Sequence, residues 1–545
     1  MEKKKMTTNA KFIILAIVCI ILFGIAVSPI SLQNDTFYTI KIGENILQNG
    51  LAQPDPFSWH GNLPYTYPHW LYDVIVYLIY HIGGMTGIYV STVVLACVLG
   101  IVVFATNSKL SKNTLTSFVL TIGVMFLFKD YIAARAQLVT FILFALTIYF
   151  IERFLCTKKK HYAVGLIVIP TLIANLHIAV WPFYFVLYLP YVAEYLLCLL
   201  LDNKIYERLR RKRLERKLSK CEGNTEKQIE IQQEIQKFEE YMRSEKEKKQ
   251  KRRENPYKIK IEKVDATKWL ILIMLICGLT GLLTPLGDAP YTYLIKTMEG
   301  TTTKNISEHL PLTLFNDKNF MCVITIFLAI LIFTDVKIRL RDLFMIGGLL
   351  FLSFMTRRQT SMFILIGVIP LNRMICDLFD KYDKEGCDKF KELMVTGCGK
   401  IITVSIVLIL CLFLIKPKIH NSFINESNYP VKAAEYIKNN LDYKNIKLYN
   451  EYNYGSYLLF QDIPVFIDSR ADLYAPEFNG GKDVFSDFIN VSNINTYYED
   501  KFKEYGITHV ICYKNAKLNM FLSRDSNYKL LYSDDSFCVY ERLSR

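Results

Sequence analysis

The chain has 545 residues, a formal net charge of +14 and 52% hydrophobic residues, with a mean hydropathy of +0.20. That is too apolar for an ordinary soluble protein of this size, and repeated apolar runs of about 14–20 residues indicate a polytopic α-helical membrane protein. The basic excess is not the signature of a nucleic-acid partner, because most of it sits in one insert or beside apolar runs, where cytoplasmic segments collect Lys and Arg.

The N-terminus reads MEKKKMTTNAKF and runs into an apolar stretch that ends at Pro29. With no small-x-small cleavage site, it reads as an uncleaved first span with its lysines inside. A long loop follows, 30–70, which is polar, aromatic and punctuated by Pro and Gly. It carries Asp35, Asp55, His60, His69, Trp59 and Trp70. Loops of this length in a compact protein are usually functional or disordered, and its aromatic content argues for order.

Apolar runs then place candidate spans at 12–29, 88–106, 115–128, 138–155, 162–179, 182–201, 268–287, 318–334, 342–356, 359–375 and 400–416. Segment 71–82 is apolar but too short to cross alone. Lys109, Lys112, Lys158–Lys160, the 203–267 insert, Lys337–Arg341 and 376–398 all fall on the cytoplasmic side if 71–82 does not cross. The opposite side then holds the first loop, Lys129–Gln137, Asn175–Trp181, Gly287–Lys318, the Arg357-Arg358 pair and everything after Lys418.

This divides the chain into a transmembrane region over 1–202, a basic helical insert over 203–267, a second transmembrane region over 268–416 and an extracytoplasmic α/β domain over 417–545. The insert alternates Glu and Lys at helical spacing. It fits a solvated charged hairpin, or one whose basic face lies on anionic lipid. In the last domain VKAAEYIKNN, YGSYLLFQ, DVFSDFINV and TYYEDKFKEYG read as helices. NIKLYNEY, PVFIDSRAD and ITHVICYK read as strands, and YKLLYSDDSFCVYER as a terminal hairpin. Cys512 and Cys538 can pair only if their strands are neighbours.

Several polar residues stand where spanning does not need them. Asp35 follows the first span, where a carboxylate must face water, a cavity or a ligand; it suits a general base or a helix cap. Asp55 in PDPFSW is good turn chemistry and a second candidate carboxylate. His60 and His69 are candidates for a metal or an anionic headgroup. Arg135 and Gln137 precede a span, and Arg gives a phosphate a planar bidentate fork. His177, Arg357 and Arg358 interrupt apolar runs; the arginine pair needs either a protein carboxylate or a phosphate. Glu308, His309, Asp468, Arg470 and Asp472 are further polar candidates.

Taken in order, these residues resemble the GT-C glycosyltransferase superfamily. The likeness lies in Asp35, then Asp55-Pro56-Phe57-Ser58-Trp59, then His69-Trp70-Leu71, and is nearest to bacterial protein mannosyltransferase-like and aminoarabinose-transferase-like members. Downstream, ARAQ at 134–137, ANLH at 174–177, NEYNYGSYL and FIDSRADLY resemble further segments of such proteins. Ala136 stands where the family has Pro. Asn34 stands where it often has a second acid, which leaves Asp55 as the candidate second carboxylate. The resemblance implies about 11–13 transmembrane helices and an extracytoplasmic site at the plasma membrane. It implies a sugar donor linked to polyprenyl phosphate or diphosphate, and a first-loop aspartate that activates the acceptor, which is a glycan, lipid or protein. Arg135, His177, Arg357 and Arg358 are assigned to the donor phosphate from charge and topology, with His60, His69, Trp70 and Gln137 in the substrate loop. A divalent metal is left open, since Asp130 is the one acid of the second outer loop. A transporter or flippase, and a non-catalytic scaffold, are the competing readings.

Overall fold

The computed structural model describes residues 7–543 apart from 52–53, 62, 202–203, 220–224, 255–257, 301, 314–316 and 384. The N-terminal lysines Lys3–Lys5 lie outside that set. Among the described residues six helices are long and apolar enough to cross a membrane: Thr8–Val27, Trp70–Ser111, Ala136–Thr157, Ile178–Leu200, Arg357–Tyr382 and Gly397–Lys418. Four further predicted spans fall on shorter apolar helices, Thr114–Leu127, Lys160–Leu176, Thr267–Leu282 and Lys318–Phe333. The segment predicted at 342–356 is the helix Leu340–Met355.

Segment 71–82 does not stand apart from the next span. It is the first arm of the Trp70–Ser111 helix, which breaks at Gly84, where φ is 57° and ψ is −150°. An L side chain rarely adopts that backbone, so glycine marks the bend. The helix Asn34–Asn49 packs on this arm through Gly43, where a Cβ would lie 2.1 Å from the Asp73 carbonyl oxygen. Only a residue without a side chain allows so close an approach.

Contacts sort the connecting segments to two ends of the bundle. At one end Lys418 Nζ donates to the carbonyls of Ala26 and Val27 at 2.9 Å, and Leu32 N donates to Phe423 O. There too Thr36 Oγ1 reaches Ala134 O, Ile178 N donates to Pro68 O, and Arg357 N donates to Leu310 O. At the other end Thr114 bonds Asn9 at 2.9 Å, and Asn372 bonds Ser111 and Ser117. There Arg373 pairs with Glu152 at 3.0 Å and Asp342 at 2.8 Å, while Arg341 pairs with Glu194 and Glu262. These groups are mostly buried, and each charge has an opposite partner, as burial in a low-dielectric bundle requires. Glu262 ties the exit of the basic insert into this network. The insert itself is two helices, Lys204–Ser219 and Thr225–Glu254, packed through Leu214, Phe238 and Met242.

The C-terminal part is α/β, with a four-stranded sheet in the order Leu448–Tyr449, His509–Tyr513, Phe537–Arg542, Tyr528–Ser533. The first pair is parallel and the others antiparallel. Cys512 and Cys538 are direct register partners, yet both thiols are free. The stretch PVFIDSRAD is not a sheet strand. Val465 makes a single bridge to Ser58 of the first loop, and Phe466 N donates to the Asn450 side chain. Alternating apolar residues read as a strand there, but the neighbouring backbone belongs to the first loop. That loop also inserts Trp59, whose Nε1 donates to Leu448 O at 2.9 Å. Phe37 stacks edge-on against Tyr429 and Tyr457, so the domain shares one core with the bundle end.

Candidate functional site

Where the first loop, the bundle end and the C-terminal domain meet, they enclose a cavity of about 1210 Å³. Asp35, His69, Arg135, Gln137, His177 and Arg358 all line it. So do Glu308, His309, Tyr452 and Asp472, along with apolar side chains including Phe183, Met298, Leu352 and Met355. Met298 and Met355 are among its exposed side chains.

Asp35 lies in the first turn of its helix, with its carboxylate 2.7 Å from Arg135 Nη2. Arg135 reaches Glu308 at 3.5 Å with its other terminal nitrogen. Burial disfavours the guanidinium charge, but Asp35 and Glu308 outweigh it and hold its pKa above the ordinary value. Both side chains remain partly accessible, at 23% for Asp35 and 29% for Arg135, so a ligand can reach either.

Behind them sits a histidine pair. His69 Nδ1 is 3.2 Å from Asp73, whose carboxylate is fully buried. Burial opposes the imidazolium, yet Asp73 prevails and raises the His69 pKa above its ordinary value. His177, at a ring distance of 6.0 Å, hydrogen-bonds Thr140 at 3.1 Å. Burial, then the nearby His69 and Arg358 charges, push its pKa down. Both rings line the cavity, His69 held by Asp73 and His177 by Thr140. Tyr293 hydrogen-bonds Asp472, which burial holds above the ordinary carboxyl range.

Other sequence candidates lie elsewhere. Asp55 is not on the cavity wall. Its carboxylate is fully buried, accepting from Arg470 Nη1 at 2.6 Å and Ser58 N at 2.8 Å. Arg470 also grips Asp468, which accepts from Tyr474 at 2.6 Å. Asp55 therefore pins the first loop to the C-terminal domain, and its carboxylate, with both oxygens bonded, is turned away from the cavity that Asp35 lines. His60 is likewise structural: its ring lies on Trp59 and its Nε2 is 2.7 Å from Phe466 O. Burial takes its pKa down to about 4. Trp70 donates to Asn175 at 3.3 Å rather than facing the cavity. Arg357 lines a separate, smaller chamber instead of the main cavity. Asp73 is the residue the sequence reading missed; its i, i+4 spacing from His69 on a helix start was the available signal.

Among the described residues no three His, Cys, Asp or Glu side chains are placed to hold a metal ion. Asp130, the acid on which a metal would depend, is 77% exposed and pairs with Lys129. No protein-family model matches the chain, and no curated protein matches it.

Proposed function

We propose that the protein is a membrane glycosyltransferase that moves a sugar from a polyprenyl-phosphate-linked donor to an acceptor outside the cytoplasm. The observation that carries this reading is the convergence of Asp35, Arg135 and Arg358 on one cavity whose wall is also apolar. A lipid-linked phosphate has that pair of requirements, cations for the headgroup and apolar surface for the chain. Arg358 makes no side-chain hydrogen bond or close ion pair among the described residues, with Asp472 on the same wall within reach of its charge, and a partly buried cation without a contact partner favours an anionic ligand.

In this reading the acceptor oxygen attacks the anomeric carbon and its proton passes to the Asp35 carboxylate. The bond from that carbon to the phosphate oxygen breaks, and the phosphate leaves with the electron pair. Arg135 and Arg358 offset the charge that develops there. Arg135 bridges the two halves of the reaction, since it holds Asp35 while facing the headgroup. The crossing count of about eleven, the plasma-membrane location and the external placement of the cavity belong to the same proposal, and the basic segments at the opposite end support them.

The test is transfer of labelled sugar from polyprenyl-phosphate donors by the purified chain in nanodiscs. Asp35→Asn should lower transfer by about 10²–10⁴-fold while the protein still folds. Full activity in that variant removes the mechanism.

A further inference from the structure

Beside the main cavity lies a second chamber of about 190 Å³. Arg135 and Arg358 line both spaces, whereas Arg357, Gln33, Asp130 and Tyr131 line only the smaller one. Its volume suits one small polar group rather than a sugar ring with a lipid. Arg357 makes no side-chain hydrogen bond or ion pair among the described residues. Its Nε is buried without a partner, as are Gln33 Oε1 and Arg135 Nε. A buried guanidinium nitrogen without a protein acceptor costs free energy unless water or a ligand supplies one, and among the described residues Arg357 has no protein acid beside it to take that place.

Helix starts add to this. Gln33 is the N-cap of Asn34–Asn49, Arg135 the N-cap of Ala136–Thr157, and Arg357 and Arg358 belong to the 3₁₀ turn that leads into Thr360–Tyr382. None of these three helices has a side-chain cap at its N-terminus. Two uncapped N-termini, those of Asn34–Asn49 and Ala136–Thr157, and three arginines therefore meet around one small space, and each N-terminus carries a positive partial charge. The acids that oppose them are Asp35 and Glu308, which already pair with Arg135, and the exposed Asp130; Arg357 and Arg358 are the cations without a close acid.

We infer that this chamber is a second anion subsite, separate from the headgroup position in the main cavity, with Arg357 as its own cation and Arg135 and Arg358 shared between the two. The ligand group is a phosphate or carboxylate oxygen cluster with a hydroxyl for Gln33. This rests on the reading of the main cavity as a lipid-phosphate site. The substrates together then bring two anionic groups, either both on a diphosphate carrier or one on the carrier and one on the acceptor.

The experiment measures binding of farnesyl phosphate, farnesyl diphosphate and inorganic phosphate to the full chain in detergent, for wild type and Arg357→Gln. If the carrier supplies both groups, wild type binds the diphosphate at least about tenfold more tightly than the monophosphate, and Arg357→Gln collapses that ratio to about one. If the acceptor supplies the second group, inorganic phosphate binds in the presence of saturating farnesyl phosphate, and Arg357→Gln removes that binding about tenfold. Arg357→Lys restores part of either effect, because charge is kept but the fork is lost. Equal diphosphate-to-monophosphate ratios in wild type and Arg357→Gln, together with no inorganic phosphate binding beside the lipid, overturn the subsite. Failure of wild type to bind any farnesyl phosphate instead overturns the main-cavity reading, so the two failures are distinct.

Discussion

Replacing Asp55 separates a structural carboxylate from a catalytic one. Asp55, Arg470 and Asp468 form a buried triad in which the side chains are 0–1% exposed, so solvent cannot compensate a lost partner. Asp55→Asn keeps the shape and leaves Arg470 paired to Asp468. It loses the charge-assisted part of one hydrogen bond, a cost of about 1–2 kcal/mol. Arg470→Met strands two carboxylates with no counter-charge. Breaking one buried pair from one side typically costs 3–5 kcal/mol, so this variant should lose at least about 5 kcal/mol or fail to fold. In the double variant only Asp468 remains charged, and the cost should fall short of the sum of the singles by about 2 kcal/mol. Thermal unfolding in detergent, read by intrinsic fluorescence, orders the four proteins. Asp55→Asn should melt lower yet keep its turnover at permissive temperature. An Asp55→Asn protein that melts like wild type but no longer transfers sugar would refute the structural role and return Asp55 to the reaction.

Asp35→Asn should lower transfer by about 10²–10⁴-fold, the range for removing a positioned general base, at a stability cost of no more than about 1 kcal/mol because Glu308 still pairs with Arg135. Gly43→Ala drives a methyl into the Asp73 carbonyl; we expect a loss of about 1–3 kcal/mol in unfolding measurements, with a displaced His69–Asp73 pair lowering transfer as well. His60 is held neutral, with its folded pKa at about 4 against an ordinary 6.5. Because the unfolded chain binds the proton first, this contribution is complete above pH 6.5 and is lost as pH falls through about 4, amounting to about 3 kcal/mol at most. The part of the acid destabilisation of wild type that lies in this window should flatten in His60→Gln, and an unchanged pH slope would contradict the burial argument.

The long apolar helices were legible because a helix able to span a membrane writes itself as a continuous apolar run, and the six helices long enough to cross fall on such runs. The gathering of Asp35, Arg135, His177 and Arg358 was legible for a related reason. Charge in an apolar context needs a purpose, and the basic-residue bias sorts the loops to two ends. What the sequence hid was pairing over long range. Asp55 and Arg470 are 415 residues apart, so the turn chemistry around Asp55 gave no hint of its partner. Asp73 was hidden inside an apolar segment whose hydrophobicity masked one buried acid. The stretch 464–472 alternates like a strand, but its neighbour is the first loop, and local pattern cannot name the neighbour. Arg357 and Arg358 are adjacent in sequence, and one step along a 3₁₀ turn was enough to keep Arg357 out of the main cavity that Arg358 lines.

The most direct test of the account is a cryo-electron microscopy structure of the full chain with a non-transferable polyprenyl-phosphate sugar analogue. The account predicts the phosphate within hydrogen-bond distance of Arg135 and Arg358, the lipid along the Met298, Leu352 and Met355 wall, and Asp35 facing the anomeric carbon's open side. A headgroup bound away from Arg358, or an Asp35 carboxylate turned away from the sugar, would contradict it.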